Sequence, residues 1–328
     1  MSPEKIRISY WGSPYLSAKF LETLIQDKSF EIAFAVTQPD KPRSKRGREV
    51  AACAVKKTAE ENSIPVYSPA SLKKNTDELF EQFKAHDVLF HVVFAYGKLI
   101  PEKLFNAVPL KTVNFHASLL PLLRGAAPIE TSLLEGHKKT GWSMQAIAEK
   151  MDAGDVYITK EVEISEVDTK NSLTEKMLKT LIEFGPEALR KYAAKELKPV
   201  KQDESRATFC GKIKTEAGEI DFTVPHREII NQFRALGENP GVYSFYNGKK
   251  IKIDFDLISP AHNLSNLLGA KKPGDVVQIE KERLSIFCGD GFALPVISFH
   301  PEGKRKMSAA DFINGYRPKE GDCFGKRE

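Results

Sequence analysis

From Ile6 to Ala194 short apolar runs alternate with stretches of helical period. Ile6 to Tyr10, Glu31 to Val36, Val88 to Ala95 and Thr112 to His116 predict strands, and Ala18 to Gln26, Ala51 to Asn62 and Thr76 to Ala85 predict helices between them. Runs such as "VLFHVVFA" lack the polar alternation of a half-exposed strand, which implies parallel strands covered on both faces. The expected fold of this part is therefore α/β, a doubly wound and mainly parallel sheet. Two more strands, Trp142 to Ala148 and Val156 to Ile164, flank the turn "MDAGD". A helix from Ser172 to Phe184 is expected to stop at Gly185 and Pro186, with a second running to Ala194.

The pattern then changes. "KELKPVKQDESRAT" is charged, contains proline and has no apolar period, so residues 195–207 read as a linker between a domain over 1–194 and another over 208–328. The second domain shows short β-rich runs. Val242 to Tyr246 and Lys250 to Phe255 are joined by Asn247 and Gly248, a hairpin signal, and Val276 to Ile279 and Leu284 to Phe287 follow. A small, closed, OB-like β-barrel is the expectation for this half.

Composition adds boundaries to this picture. The 328 residues are 41% hydrophobic and 28% charged, ordinary for a water-exposed globular chain and enough for two cores. No apolar run reaches the roughly 18–20 residues that a membrane span needs. A strand begins already at Ile6, so a cytoplasmic protein of bacterial type without a membrane partner is expected. The four cysteines, Cys53, Cys210, Cys288 and Cys323, are too scattered for zinc spacing and read as reduced thiols, and no metal is expected. The net charge of +5 falls short of a dedicated nucleic-acid binder. From Lys201 to Glu328 the basic residues number 20 against 18 acidic ones, so any polyanion must meet a local patch. The strongest such patch is "KPRSKRGR", with Lys41, Arg43, Lys45, Arg46 and Arg48.

Candidate chemistry begins with "NFHASLLP". In a strand Asn114 and His116 point to one face while Val113 and Phe115 point to the other, which aims an amide and an imidazole at one spot. The place is the carboxyl end of a strand, where doubly wound sheets bind ligands. Beyond it "ASLLPLLRGAAPIE" carries Pro121, Arg124, Gly125 and Pro128, the last placed to open a helix. Asp152 in "MDAGD" could face the histidine from a neighbouring strand end. Ser118 is not at a nucleophile elbow, so the set suits acyl transfer between two bound amines, with Asn and His stabilising the oxyanion. The first βα turn, "YWGSPYL", has one glycine where a dinucleotide fingerprint needs three, which argues against nicotinamide or flavin chemistry.

"NFHASLLPLLRGAAPIE", then "TGWSM" and "MDAGD", resembles the formyltransferases that use 10-formyltetrahydrofolate. The likeness to the methionyl-tRNA formyltransferase family extends to "WGSP", "TQPDKP", "FAYGKLIP", "RALGENPGVYSFYNGKKIKI" and "KMSAADFINGYR", and so covers nearly the whole chain. The resemblance implies a catalytic set of Asn114, His116 and Asp152, with the donor 10-formyltetrahydrofolate lying against Phe94, Ala95, Tyr96 and Leu99 and against Ser118, Leu119, Leu120 and Pro121. It also implies that initiator methionyl-tRNA is the acceptor and that the basic loop and the C-terminal barrel meet it. Departures are "AACAVKK", where the family has a proline-containing segment, and "GEN" before Pro240, where Asn-Pro-Trp is common. A sugar-amine formyltransferase or a 10-formyltetrahydrofolate hydrolase are the alternatives, though neither requires a basic loop and a barrel. A noncatalytic RNA-binding protein would leave the three polar residues without a role. The modest net charge and lack of an obvious apolar face point to a monomer.

Overall fold

The protein is described from a computed structural model that covers residues 5–42, 50–279 and 282–325. It divides into two compact units. One comprises Met1–Ala126, Lys139–Glu163 and Glu175–Cys210, the other Ala127–Lys138, Ile164–Thr174 and Gly211–Glu328.

In chain order the strands up to residue 163 are β1 (Ile6–Trp11), β2 (Phe30–Val36), β3 (Lys41–Pro42), β4 (Val50–Ala51), β5 (Val66–Tyr67), β6 (Phe90–Val93), β7 (Val113–His116), β8 (Arg124–Gly125), β9 (Lys139–Ala146) and β10 (Val156–Glu163). The helices up to residue 193 are α1 (Tyr15–Gln26), α2 (Ala54–Glu61), α3 (Thr76–Lys84), α4 (Glu102–Phe105), α5 (Pro128–Leu134) and α6 (Lys170–Ala193). The first unit is built on a sheet of order β10-β9-β7-β6-β1-β2-β5. Pairings from β5 to β7 are parallel, and β9 and β10 are antiparallel to their neighbours. The chain winds outward from β1 through β2 to β5 and then crosses to β6, so the order of connection reverses beside β1. This is the doubly wound, mainly parallel sheet expected from the continuous apolar runs. β1 and β6 are buried on both faces, with Ile8, Tyr10, Trp11, Phe90 and Val92 inaccessible to solvent.

Several helix boundaries differ from expectation, and two of the differences have a physical reason. α2 begins at Ala54 rather than Ala51, because Val50 and Ala51 are taken up by the strand pair of β3 and β4. α6 does not stop at Pro186 but runs 24 residues with that proline inside. A proline in a helix interior costs about 3 kcal/mol through its missing N–H and ring clash. Burial of Met177, Leu181 and Leu189, at roughly 1.5–3 kcal/mol each, exceeds that loss. Tertiary packing thus overrides the local breaker. Pro128 does open α5 in its first turn, as its position in the sequence suggests.

After β11 (Phe209–Cys210) the second unit continues with α7 (His226–Leu236), β12 (Tyr243–Tyr246), β13 (Lys249–Phe255), β14 (His262–Asn263), β15 (Val276–Ile279), β16 (Leu284–Phe287), β17 (Phe292–Pro301), β18 (Met307–Ser308) and α8 (Ala309–Tyr316). Its sheet has the order β12-β13-β17-β16-β15, antiparallel throughout. The turn between β12 and β13 puts Asn247 at φ +48° and Gly248 at φ +71°, a conformation that these two residue types adopt most readily. The chain beyond α8 joins the edges. Phe324 bridges Tyr246 of β12, and Cys323 bridges Asp275 just before β15, which closes the sheet into a barrel. Inside it Phe299 stacks on Phe312 at 4.1 Å and on Phe324 at 5.7 Å.

Candidate active site

β7 places the amide and the imidazole by strand geometry alone. Phe115 turns to the opposite face and packs on Phe20 and Phe184, with ring centroids 5.2 and 6.1 Å apart. That burial fixes which face Asn114 and His116 occupy, since a one-residue slip would exchange the two faces. Across the antiparallel pair, Asn114 lies opposite Gln145 and His116 opposite Ser143. Two polar residues spaced by two on β9 therefore mirror the two on β7. His116 is buried, whereas Asn114 is partly exposed and its side chain bonds to no other described residue.

The loop after β7 closes around the histidine. Ser143 Oγ donates to the Ser118 carbonyl at 2.7 Å and accepts from the Leu120 N–H at 2.9 Å, while Ser118 Oγ donates to the Leu122 carbonyl at 2.5 Å. The chain then turns through Leu123 at φ +55°, and the Leu123 carbonyl stands 2.8 Å from His116 Nε2. A carbonyl only accepts, so Nε2 carries the hydrogen. Nδ1 is left facing Asp152 Oδ2 at 3.6 Å.

Asp152 occupies the turn between β9 and β10 in a left-handed conformation, φ +52°. Its carboxylate is held from two sides. Oδ2 accepts from the Gly125 N–H at 2.9 Å and Oδ1 from Gln145 Nε2 at 3.0 Å. The backbone of the same turn is gripped by Gln202, whose Nε2 donates to the carbonyls of Asp152 (2.9 Å) and Gly154 (2.7 Å). Gln202 Oε1 in turn accepts from Arg124 Nε at 3.1 Å and Nη2 at 2.8 Å. The buried Arg124 completes the set by binding both oxygens of Glu204, at 2.7 and 3.0 Å. These bonds hold the Glu204 carboxyl below the usual range of a glutamate. Residues 200–210 are thus no slack connection. Arg124 N–H donates to the Thr208 carbonyl, Ala126 N–H to the Cys210 carbonyl, and β11 pairs with β8 in parallel.

Of the other residues expected at the site, Phe94 and Tyr96 turn their rings inward. Phe94 packs on Trp142 at 5.2 Å and Tyr96 on Trp11 at 5.4 Å. Ala95, at φ +53°, and Leu99 are exposed at the strand end, Leu99 by 75%. Ala95 also lines an open cleft of about 520 Å³ with Ser13, Pro14, Gln38, Pro39 and Cys53, just beyond the carboxyl ends of β1 and β6. Leu120 is largely covered, and Leu119 and Pro121 are partly exposed. Arg43, Lys45, Arg46 and Arg48 lie outside the described residues, and of Lys41 only the backbone, in β3, is described. Among the described residues no cluster of His, Cys, Asp or Glu could hold a metal ion, and no helix is long and apolar enough to cross a membrane.

The sequence reading passed over Gln145 and Gln202. Gln145 carried a usable signal, a polar pair with Ser143 at strand spacing in an otherwise apolar run, the same signal that singled out Asn114 and His116. Gln202 carried none, because its partner is fifty residues away.

With that geometry in hand, known proteins provide a comparison. Residues 5–189 match the family described as formyl transferase, and residues 212–317 match the formyl transferase C-terminal domain. The methionyl-tRNA formyltransferase of Leptospira interrogans is 38% identical over 98% of this chain and 100% of its own length. That of Bacillus subtilis is 35% identical over 97% of this chain and 98% of its own. Among solved structures, the sugar 3N-formyltransferase WlaRD, crystallised in the presence of dTDP and 5-N-formyltetrahydrofolate, aligns with a TM-score of 0.62 at 18% identity, covering 92% of this chain and 100% of that one. HypX from Aquifex aeolicus in complex with tetrahydrofolic acid aligns with a TM-score of 0.61 at 17% identity, covering 99% of this chain and 51% of that one. At these identities the two structures speak for the fold alone.

Proposed function

Because the chain belongs to the methionyl-tRNA formyltransferase family, we propose that Asn114, His116 and Asp152 transfer the formyl group of 10-formyltetrahydrofolate to the α-amine of initiator methionyl-tRNA. The observation that carries this reading is the pairing of an uncommitted carboxamide with a histidine whose Nε2 is already bonded to Leu123 and whose Nδ1 faces a carboxylate. Attack of the neutral amine on the formyl carbon pushes charge onto the formyl oxygen. Asn114 donates a hydrogen bond there, the kind of contact that contributes about 10²–10³ in rate. A proton on His116 Nδ1 makes an imidazolium, stabilised by Asp152, that supports the same oxyanion. As the bond from the formyl carbon to N10 of the folate breaks, the amine loses its proton through Asp152 and His116, and N10 gains one. No covalent enzyme intermediate is required.

The donor fits against Ala95 and Leu99 and against Leu119 and Pro121 of the 118–121 loop, the exposed part of the residues drawn from the resemblance. Phe94 and Tyr96 shape that wall from behind. The division of labour we read is a catalytic domain over 1–194 and a tRNA-facing barrel over 208–328, joined through 195–207. Lys41, Arg43, Lys45, Arg46 and Arg48 serve the phosphates of the acceptor stem. The enzyme works as a monomer in the cytoplasm. The test is to incubate the protein with 10-formyltetrahydrofolate and charged initiator tRNA and to assay for formylmethionine. Formylmethionyl-tRNA supports the reading, whereas release of free folate without formylated tRNA makes the protein a hydrolase. Serine at all five basic positions should raise KM for tRNA and flatten the salt dependence of binding, whose slope is about 0.7–0.9 per phosphate contact. An unchanged slope would remove the loop from the tRNA site.

A further inference from the structure

The arrangement behind Asp152 assigns a role to residues that hold its turn by the backbone. We infer that Gln202, locked by Arg124, is a positioning residue for formyl transfer, one that fixes the Asp152 turn so that the carboxylate meets His116 Nδ1. The inference rests on the reading that Asp152 acts with His116.

The geometry supports it in three ways. A non-glycine residue at φ +52° is held in a sparsely populated conformation, which persists only when its surroundings over-determine it. Here they do. One Gln202 amide spans the carbonyls of Asp152 and Gly154, at 2.9 and 2.7 Å, on either side of Ala153. It lies 3.3 Å from the Gln145 side-chain oxygen as well, and the other end of Gln145 holds Asp152 Oδ1. Second, the amide cannot reverse. Its oxygen is claimed by Nε and Nη2 of Arg124, so the NH2 group must point at the turn. Third, Arg124 is next to Gly125, whose N–H binds the other Asp152 oxygen. The Arg124 guanidinium therefore bears on the backbone of the Asp152 turn through Gln202, and its own residue adjoins the N–H that holds Asp152 Oδ2. Arg124 and Gln202 are both buried, so these bonds are shielded from competing water.

A general acid–base pair is sensitive to such support, since a misplacement of about 1 Å can cost roughly a hundredfold in rate. Gln202→Leu keeps the approximate volume and removes both ends of the amide. The expected result is a fall in kcat of about ten- to a hundredfold with KM for both substrates within about twofold. In the Asp152→Asn background the same change should cost little more, because the group being positioned is already disabled. A role confined to folding would lower the unfolding midpoint and leave kcat per folded molecule unchanged in both the parent and the Asp152→Asn background. Gln202→Glu guards against a variant that does not fold, because it retains the acceptor for Arg124, while the oxygen that replaces the NH2 group can no longer donate to the Asp152 and Gly154 carbonyls and repels them. It should fold, show the same loss of kcat, and move the acid limb of the kcat–pH profile. If both variants keep parental kcat while Asp152→Asn is inactive, the positioning role is wrong and the catalytic reading stands. If Asp152→Asn itself retains activity, the catalytic reading falls first.

Discussion

The carboxyl end of β7 and the turn at Asp152 hold members of the proposed catalytic set by opposite means. Asn114 and His116 sit on a strand flanked by β6 and β9, and the burial of Phe115 on the far face determines where they point. Asp152 sits in a left-handed turn with no such register, and hydrogen bonds from Gly125, Gln145 and Gln202 define its position. Strand placement is local and can be seen in a few residues of sequence. Turn placement is borrowed from segments distant along the chain, so it can be weakened without touching the reacting groups.

The comparison is broken most sharply at β7. Asn114→Ala and His116→Ala should each slow turnover by about a hundredfold or more, if each removes the oxyanion partner proposed for it. The sheet should survive, and calorimetry should find folate binding retained. Loss of folate binding in a folded variant would shift these residues from chemistry to donor recognition. Next in size is Gln145→Leu, which removes a donor from Asp152 Oδ1 while leaving β9 paired. A fall in kcat of roughly tenfold is expected, because the carboxylate keeps its second support at Gly125. Steady-state kinetics with KM unchanged would confirm that the two supports share the task, and no change in kcat would show that Gly125 suffices.

Gly125→Ala probes the backbone support. At φ +124° an added Cβ would stand 2.1 Å from the Cys210 carbonyl, so β8 and β11 cannot keep their pairing. A loss of more than about 1 kcal/mol in denaturant unfolding is expected, accompanied by lower kcat as the N–H leaves Asp152. The smallest effect is at Glu204→Gln. Glu204 has its carboxyl lowered by Arg124, so its contribution to stability is present above the ordinary glutamate range and is lost as pH falls through the lowered value. The parent's unfolding midpoint should drop more steeply than that of the variant over that acidic window. Parallel curves would show that the exposed carboxylate adds nothing.

The division between local and borrowed placement also explains what the sequence made legible. The β7 pair announced itself through two-residue spacing, and the hairpin at Asn247 and Gly248 through turn chemistry. β15 and β16 matched their apolar runs to the residue. α6 misled because Pro186 is a local signal overruled by burial of Met177, Leu181 and Leu189. The segment 195–207 looked featureless because the partners of Gln202 and Glu204 lie too far along the chain for any window to reveal. Gln202 reads as one more charged-region glutamine until Arg124 and the Asp152 turn are placed beside it.

The most direct measurement is the single-turnover rate of formylmethionyl-tRNA formation by Asp152→Asn, with both substrates saturating. This change keeps the side chain's volume and, with its one oxygen, the bond to the Gly125 N–H, while it gives up the bond from Gln145 and removes the charge that faces His116. A rate about a hundredfold or more below the parent, with folate affinity retained, is what a charged Asp152–His116 pair at the centre of the reaction predicts. A rate near the parent's would contradict it and leave His116 without the partner the fold builds for it.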